Sequence, residues 1–368
     1  MVRKVVDIEH LYSCTMLIHN SSEWSKAVVE GWSLVKIAVI GATGMIGNHV
    51  LQAGARRGHD MIAISRRPLS GAALHLEGVE ARTADLAHVP ELRRAIEGAD
   101  AVVHCAGYYP AAPRPVHLEL AEATKLSNNF YEACVGLGLQ RIVYVGAAIA
   151  VPRTSGGMAS DGQASFTKEP SSSNSYLQVK WLQDSIARKH AADGLPVVIG
   201  VPAMTFGEFD PGNTTGNFIL GVAKKTFRAF VDGKRNVVYA GDAADGLILA
   251  AERGITGHRY LFTGENLTME QLMGKIARIT QAPMPKTIPL PLTKALYAFQ
   301  LLRYKFLSGP VPTISETALA VMSSGQFLDG RVAASELGYK PSVSVDEAIE
   351  RALAWFVKAG ALPARGEG

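Results

Sequence analysis

Strand-length apolar segments alternate with helix-length segments along most of the chain. The segments with strand character are residues 37–40, 61–64, 79–82, 101–104, 141–145 and 196–201. The intervening segments with helical character are residues 45–57, 90–97, 116–135 and a helix that begins near residue 175. Unbroken apolar runs are typical of strands buried on both faces, and the crossovers between parallel strands are right-handed. The pattern therefore predicts an α/β protein with a doubly wound parallel sheet.

Beyond residue 201 the pattern becomes mostly helical. Two short predicted strands, residues 237–239 and 259–262, are interspersed among predicted helices at residues 215–225, 242–252, 269–280, 292–306, 314–322, 330–337 and 345–358. We interpret residues 201–368 as a smaller, mostly helical C-terminal substrate lobe, interleaved with the last elements of the sheet. Residues 35–200 then form the main α/β domain. Residues 1–34 are expected to be a poorly ordered leader, with a helix near residues 22–29 as the alternative.

A glycine-rich turn lies between the first predicted strand and the helix that follows it. Gly41, Gly44 and Gly47 are spaced three residues apart. The first glycine permits a tight turn, the second lets the backbone approach a pyrophosphate, and the third lets the helix pack closely on the strand. The helix N-terminus adds free N–H groups and the positive end of its dipole. Strand, turn and helix together predict a cradle for the phosphates of a dinucleotide.

The end of the second predicted strand bears on which dinucleotide binds. An acidic residue in this region of the fold holds the adenosine ribose of NAD. Here Asp60 precedes the strand, and Arg66 and Arg67 follow it. An arginine can bind a 2′-phosphate bidentately, whereas a carboxylate would repel it. We therefore predict NADP rather than NAD, with Arg66 as the main contact and Arg67 as the second. The alternative is that both arginines are solvated loop residues.

Composition narrows the classes of function. Hydrophobic residues make up 48% of the chain and charged residues 19%, which is typical of a globular protein with a substantial core. The net charge of +4 is small and scattered, so nucleic acid is not an expected partner. Cys14, Cys105 and Cys134 lie far apart, which indicates free thiols in a reducing cytoplasm. The ten histidines show no metal-ligand spacing, and no apolar run reaches about 18 residues, so neither a metal site nor a membrane span is predicted.

A Tyr-x-x-x-Lys pair follows a long loop after the fifth predicted strand. Residues 151–175 are rich in Gly, Ser and Pro and lack periodicity, and internal loops of this length are often functional. Tyr176 and Lys180 lie four residues apart, which places them on one face of the next predicted helix. A phenol titrates near about pH 10, and a nearby ammonium lowers its pKa towards neutrality. The pair is a predicted general acid/base; the alternative is an exposed helix pair without a chemical role.

Several motifs taken together resemble the extended short-chain dehydrogenase/reductases. The motifs are the glycine turn at residues 41–47, Asp85-Leu86, His-Cys-Ala-Gly at residues 104–107, Tyr-Leu-Gln-Val-Lys at residues 176–180, Pro202, Phe206-Gly207, Asp-Ala-Ala-Asp at residues 242–245 and Leu337-Gly338-Tyr339. Within this family the chain is similar to the NAD-dependent epimerase/dehydratase and dihydroflavonol-4-reductase-like branch. The resemblance extends from about residue 35 to about residue 360.

The resemblance implies a Rossmann-type, NADP-binding domain at residues 35–200. It makes Tyr176 the general acid/base and Lys180 its partner. The residues expected to contact the cofactor are Gly41, Thr43, Gly44, Met45, Ile46, Gly47, Arg66, Arg67, Asp85, Leu86, Ala106, Gly107, Tyr176, Lys180 and Pro202. A homodimer is an expectation from the family alone.

One expected residue departs from the pattern of the family. A Ser or Thr usually follows the fifth strand and donates a hydrogen bond to the substrate oxygen, but residues 145–148 read Val-Gly-Ala-Ala. Removing one such donor typically costs about 100- to 1000-fold in rate. Thr154, Ser155, Tyr108 or Tyr109 could supply another hydroxyl. Otherwise the protein runs a less demanding reaction or binds NADP without turnover.

The sequence therefore favours an NADP-dependent oxidoreductase that interconverts a carbonyl and an alcohol on a small molecule. The first alternative is a nucleotide-sugar epimerase/dehydratase that retains its NAD(P), and the second is a non-catalytic NADP-sensing protein. Residues 294–306 are apolar with interspersed basic residues. We interpret them as a helix packed on the lobe, with contact to a membrane surface as the alternative.

Overall fold

The computed structural model describes residues 35–69, 76, 79–110, 114–154, 158–166, 168–170, 174–212, 214–307, 309–310 and 325–363. The expected leader at residues 1–34 and the predicted helix at residues 314–322 lie outside these ranges. Contacts join residues 35–368 into one compact unit, so the predicted boundary at residue 200 stays a prediction.

Twelve strands are formed within the described ranges. They are β1 Lys36–Ile40, β2 Asp60–Ser65, β3 Val79–Thr83, β4 Ala101–His104, β5 Arg141–Val145, β6 Val197–Pro202, β7 Met204–Phe206, β8 Ala229–Phe230, β9 Lys234–Tyr239, β10 Arg259–Phe262, β11 Glu265–Thr268 and β12 Lys286–Thr287. The helices of the same ranges are α1 Met45–Arg56, α2 Val89–Ile96, α3 Val116–Cys134, α4 Ser175–Ala192, α5 Gly216–Ala223, α6 Ala240–Arg253, α7 Met269–Thr280, α8 Leu290–Phe306, α9 Arg331–Leu337 and α10 Val345–Lys358.

Seven of these strands form one parallel sheet in the order β10-β6-β5-β4-β1-β2-β3. All neighbouring pairs are parallel, which confirms the doubly wound α/β prediction. β1 lies between β2 and β4, and Ile37, Ala38 and Val39 are completely buried, as an unbroken apolar strand requires. The chain moves to one side of β1 through β2 and β3 and to the other side through β4. This reversal opens a crevice at the carboxyl ends of β1 and β4, where such sheets bind their ligands.

Smaller sheets accompany a second apolar core in the C-terminal part. β11, β9 and β7 form a three-stranded sheet, and β12 pairs with β8. Phe206, Leu272 and Phe356 are buried in this core, which α5, α7 and α10 help to form. The sequence pattern missed β7, β8 and β12, because two or three residues are too few to show a period of two, and it missed β11, whose four residues include one apolar side chain. β10, from the predicted lobe, is an edge strand of the large sheet.

Candidate active site

The glycine turn forms a tight corner at the carboxyl end of β1. Gly41 has φ +84°, a conformation that favours glycine, and a Cβ there would lie 2.9 Å from the Cβ of Ala106. A Cβ on Gly47 would lie 2.2 Å from the carbonyl oxygen of Gly41, so α1 approaches the turn too closely for any side chain. Gly44 differs, because a Cβ at this position would have the Gly41 carbonyl oxygen as its nearest neighbour, at an ordinary contact distance of 3.5 Å. Internal packing therefore accounts for glycine at positions 41 and 47. Gly44 is the glycine whose open side suits a phosphate group.

Backbone hydrogen bonds draw the neighbouring strand ends to this turn. The Gly41 amide donates to the carbonyl of Ile64 at 3.0 Å, and the Cys105 amide donates to that of Ile40 at 2.9 Å. The predicted cofactor residues Ala106 and Gly107 closely follow β4. Ala106 lies beside the glycine turn, and a Cβ on Gly107 would lie 3.6 Å from the ammonium of Lys180. Small residues on both sides of the crevice, with the N-terminus of α1 between them, fit a dinucleotide pyrophosphate.

The end of β2 carries two exposed cations. The structure places Arg66 and Arg67 directly after the strand, and both side chains are exposed. Among the described residues, neither has an acidic partner within ion-pair distance. Asp60 pairs in register with Lys36 at the opposite end of the sheet, so its carboxylate stands a whole strand away from the crevice.

Asp85 and Leu86 lie just beyond β3, which pairs with β2 so that Thr83 is opposite Ser65. The carboxylate of Asp85 accepts a hydrogen bond from the Ala87 amide at 2.9 Å. The carbonyl of Leu86 accepts one from the side chain of Asn129 at 2.9 Å. Both residues are thus held in place at the same edge of the sheet as Arg66.

Tyr176 and Lys180 lie one turn apart on α4, as the spacing predicts. The helix begins after Asn174, whose side chain accepts a hydrogen bond from the Leu177 amide at 3.0 Å and so caps it. The ammonium of Lys180 donates to the carbonyl oxygen of Tyr108 at 2.9 Å and to the side-chain oxygen of Gln183 at 3.0 Å. Since Tyr108 closely follows β4, the lysine ties α4 to the edge of the sheet that holds the glycine turn.

Burial dominates the electrostatics of the pair. It raises the pKa of the Tyr176 phenol well above its ordinary value, and the neighbouring Tyr109 adds to this shift. It lowers the pKa of Lys180 from 10.5 to about 8. The expected lowering of the tyrosine pKa by the lysine is not found, because burial is the largest cause of the shift. The Tyr176 phenol is therefore protonated at neutral pH, as a free phenol also is.

Ala147 stands between the end of β5 and a short 3-10 helix, Ala148–Ala150, and brings no hydroxyl to this edge. The hydroxyl of Thr154 donates to the carbonyl of Met158, and that of Tyr108 donates to the carboxylate of Glu119. Ser155 lies outside the described residues. The ring centroid of Tyr109 is 5.1 Å from that of Tyr176, and about half of the Tyr109 side chain is exposed. Of the three suggested residues that the structure describes, Tyr109 is the one whose ring lies against that of Tyr176.

The sequence reasoning missed three charged or polar groups around the site. Gln183 is buried and accepts from Lys180; its position three residues later on the same helix face was a usable signal. Glu119 is buried beside Tyr108, and no sequence pattern joins these two residues. Arg259 forms a buried ion pair with Asp184 of α4 at 2.6 Å.

Arg259 also holds the long loop between β5 and α4. Its guanidinium donates to the carbonyls of Gly162 and Ala164 at 2.8 and 2.7 Å. The Ser160 amide donates to the Phe327 carbonyl at 2.9 Å, which ties the loop to the segment before α9. The middle of this loop is thus anchored to the sheet and to α4, and its described part beyond the short 3-10 helix adopts no helix.

Comparison with known proteins agrees with this geometry. The sequence model of the NAD dependent epimerase/dehydratase family matches residues 37–261, from β1 to β10. The chain belongs to this family. It is an enzyme of the extended short-chain dehydrogenase/reductase type, and the family binds NAD(P).

Three relatives show the range of activities near this chain. A crystal structure of a nucleoside-diphosphate-sugar epimerase from Pseudomonas aeruginosa superposes with a TM-score of 0.77 at 37% identity, covering 89% of this chain and 99% of that one. Sterol demethylase protein B of Methylococcus capsulatus is 28% identical over 88% of this chain and 98% of its own length. A Synechocystis protein provisionally named a dihydroflavonol 4-reductase is 26% identical over 88% of this chain and 94% of its own.

No group of three or more His, Cys, Asp or Glu side chains among the described residues could hold a metal ion. None of their helices is both long and apolar enough to cross a membrane.

Proposed function

We propose that this enzyme is an NADP-dependent reductase of a carbonyl group on a small molecule. The observation that carries the proposal is the position of Tyr176, which lies one turn from Lys180 on α4 and has its ring centroid 5.1 Å from that of Tyr109. A reduction needs a proton donor at the nascent alkoxide. A phenol is protonated at neutral pH and can serve as that donor.

Gly44 and the N-terminus of α1 would hold the pyrophosphate of the cofactor, with Ala106 and Gly107 along its length. Arg66, exposed and without an acidic partner among the described residues, would bind the 2′-phosphate, with Arg67 beside it. The opposite end of β2 holds Asp60, so no carboxylate of that strand competes. When bound, the nicotinamide supplies the hydride for the reacting carbon.

The residues of the chain supply the proton and the charge. The hydroxyl of Tyr176 donates its proton to the carbonyl oxygen of the substrate. Lys180, whose pKa is about 8, is mostly protonated at neutral pH, and its positive charge one turn away favours the phenolate that remains. The hydroxyl of Tyr109 gives the second hydrogen bond to the oxygen, in the place that the missing hydroxyl at Ala147 leaves.

The cofactor is tested by comparing NADPH and NADH affinity of the wild type with that of Arg66→Ala. Loss of a charge-assisted contact should weaken NADPH binding roughly 10- to 100-fold and leave NADH unchanged. Arg94→Ala, an exposed arginine of α2, is the matched control and should change neither affinity. Equal losses for both cofactors in Arg66→Ala would show that the arginine does not read the 2′-phosphate.

The reaction is tested with a carbonyl library, selected by thermal shift in the presence of NADPH, because a ligand that binds only the folded state raises its stability. Oxidation of NADPH should accompany alcohol formation with a selected compound. Tyr176→Phe should lower kcat by about 100- to 10,000-fold with NADPH affinity retained. Unchanged turnover in this variant would exclude Tyr176 as the proton donor.

The second candidate is a nucleotide-sugar epimerase, which the 37% identity to a structure of such an enzyme favours. An epimerase oxidises and re-reduces one carbon, so it consumes no nicotinamide overall and retains its cofactor. Sugar nucleotide interconverted without net change in NADP(H) absorbance would establish this candidate over the reductase.

A further inference from the structure

Helix α8 presents an apolar face to solvent. Five large apolar side chains of this helix are 44–74% exposed: Leu292, Leu296, Phe299, Leu302 and Phe306. At about 100° per residue, they fall within one arc of the helix. Leu307, directly after the helix, is 71% exposed and extends the same surface. We call these six side chains the α8 apolar face.

The opposite side of the same helix faces the protein. Thr293 is buried, and Leu290, Tyr297 and Leu301 are half-buried on that side. α8 is therefore apolar on both sides, although only one side is covered. A helix that is hydrophobic all round is normally buried on all sides. The exposure of the α8 apolar face therefore indicates a surface that binds a partner.

The charge around α8 identifies the kind of partner. Residues 281–315, which contain α8, hold four Lys and Arg and no Asp or Glu. The rest of the chain has 33 basic and 33 acidic residues, a net charge of zero. The basic residues of α8 itself are Lys294, Arg303 and Lys305, all exposed. None of these three has an acidic partner within ion-pair distance among the described residues.

One of these cations lies on the apolar face and two lie beside it. At about 100° per residue, Arg303 falls inside the apolar arc, and Lys294 and Lys305 lie together about 60–80° beyond its edge at Leu302. Long basic side chains can reach headgroups while their stems lie on apolar surface. A second copy of this chain would instead bring two clusters of positive charge together, which disfavours a dimer through this face.

We propose that the α8 apolar face binds the surface of a membrane that contains anionic phospholipids. The helix lies in the interface, with Phe299, Leu302 and Phe306 among the acyl chains and Arg303 at the phosphates. At 17 residues α8 lies on the bilayer and does not cross it.

The test is sedimentation of the full-length protein with vesicles of phosphatidylcholine, with and without phosphatidylglycerol. The apolar variant is Leu296→Glu with Phe299→Glu, and its control is Ile255→Glu, an exposed apolar residue after α6. The charge variant replaces Lys294, Arg303 and Lys305 with Ser. Its control replaces three other exposed lysines with Ser, namely Lys125, Lys340 and Lys358.

We expect binding to the anionic vesicles and weak binding to phosphatidylcholine alone. At about 1 kcal/mol per basic residue near an anionic surface, the charge variant should need about 100-fold more lipid for half-maximal binding. The apolar variant should lose binding, and both controls should bind as the wild type does. Added salt should weaken the binding of the wild type.

Two results would overturn the proposal. One is that the wild type does not bind anionic vesicles, or that the α8 variants bind them as well as their controls do. The other is sedimentation velocity showing a dimer that the apolar variant dissociates, with no lipid binding by the wild type, because a second copy would then cover the face. Equal thermal midpoints for each variant and its control would show that the exposed substitutions leave the fold intact.

Discussion

Lys180→Met should change how the stability of the protein depends on pH. Lys180 is only 8% exposed, and burial lowers its pKa from 10.5 to about 8. Below about pH 8 the lysine is protonated in the folded and the unfolded chain alike, and burying its charge destabilises the folded state. As the pH rises through 8 the folded state loses the proton while the unfolded chain still binds it. Stability therefore rises with pH in this window.

The magnitude follows from the two pKa values. With 10.5 in the unfolded chain and about 8 in the folded one, the wild type should gain about 2 kcal/mol between about pH 7 and about pH 9.5 relative to Lys180→Met. The variant has no proton to lose at this position. Its difference from the wild type at pH 7 also contains the lost hydrogen bonds to Tyr108 and Gln183, so the change with pH is the informative quantity.

Urea unfolding at both pH values, for wild type and variant without cofactor, measures this change directly. The matched control is Lys125→Met on α3, where the side chain is exposed and the ammonium stays in water in the folded state. The difference in free energy of unfolding between the wild type and the control should be the same at both pH values. If the difference between the wild type and Lys180→Met were also the same at both pH values, the inference that Lys180 is a buried, destabilised cation would be refuted.

Further expectations concern the cradle, the loop anchor and the proton site. Gly47→Ala should lower the free energy of unfolding by about 1–3 kcal/mol and abolish NADPH binding, because its Cβ meets the Gly41 oxygen at 2.2 Å. Gly44→Ala, with 3.5 Å available, should keep the stability and lose only NADPH affinity in a fluorescence titration; the reverse order would contradict the cradle. Asp184→Asn leaves the buried Arg259 without its charged partner and should lower the free energy of unfolding by about 3–5 kcal/mol, measured by thermal or urea unfolding. The control Asp193→Asn removes an exposed ion pair and should change this free energy little. Tyr109→Phe should lower kcat, and Ala147→Ser in that background should restore part of it; no rescue would mean that the two positions do not serve the same oxygen.

The sequence was sufficient to predict the features that local pattern controls. The parallel strands from β1 to β6, the glycine turn and the helix that carries Tyr176 and Lys180 all appear where periodicity and spacing placed them. Each depends on residues close in sequence, or on a run of apolar residues whose burial on both faces admits few alternatives.

Contacts between distant segments account for what the sequence did not predict. Lys180 is hydrogen-bonded to the carbonyl of Tyr108, 72 residues earlier, and no local pattern in the sequence indicates this partner. The pairing of Arg259 with Asp184 joins segments 75 residues apart and leaves no local trace in the sequence. The direction of the tyrosine pKa shift was therefore not deducible from a spacing of four residues, since burial rather than the lysine decides it.

The most direct test of the central proposal is the stoichiometry of NADPH use by the wild-type enzyme with a carbonyl substrate. Absorbance of NADPH and the amount of alcohol formed are followed together, with Tyr176→Phe in parallel. A carbonyl reductase oxidises one NADPH for each alcohol formed, and the variant should do so at least about 100-fold more slowly. Product formed without net oxidation of NADPH, or equal rates for the two proteins, would contradict a reduction in which Tyr176 gives the proton.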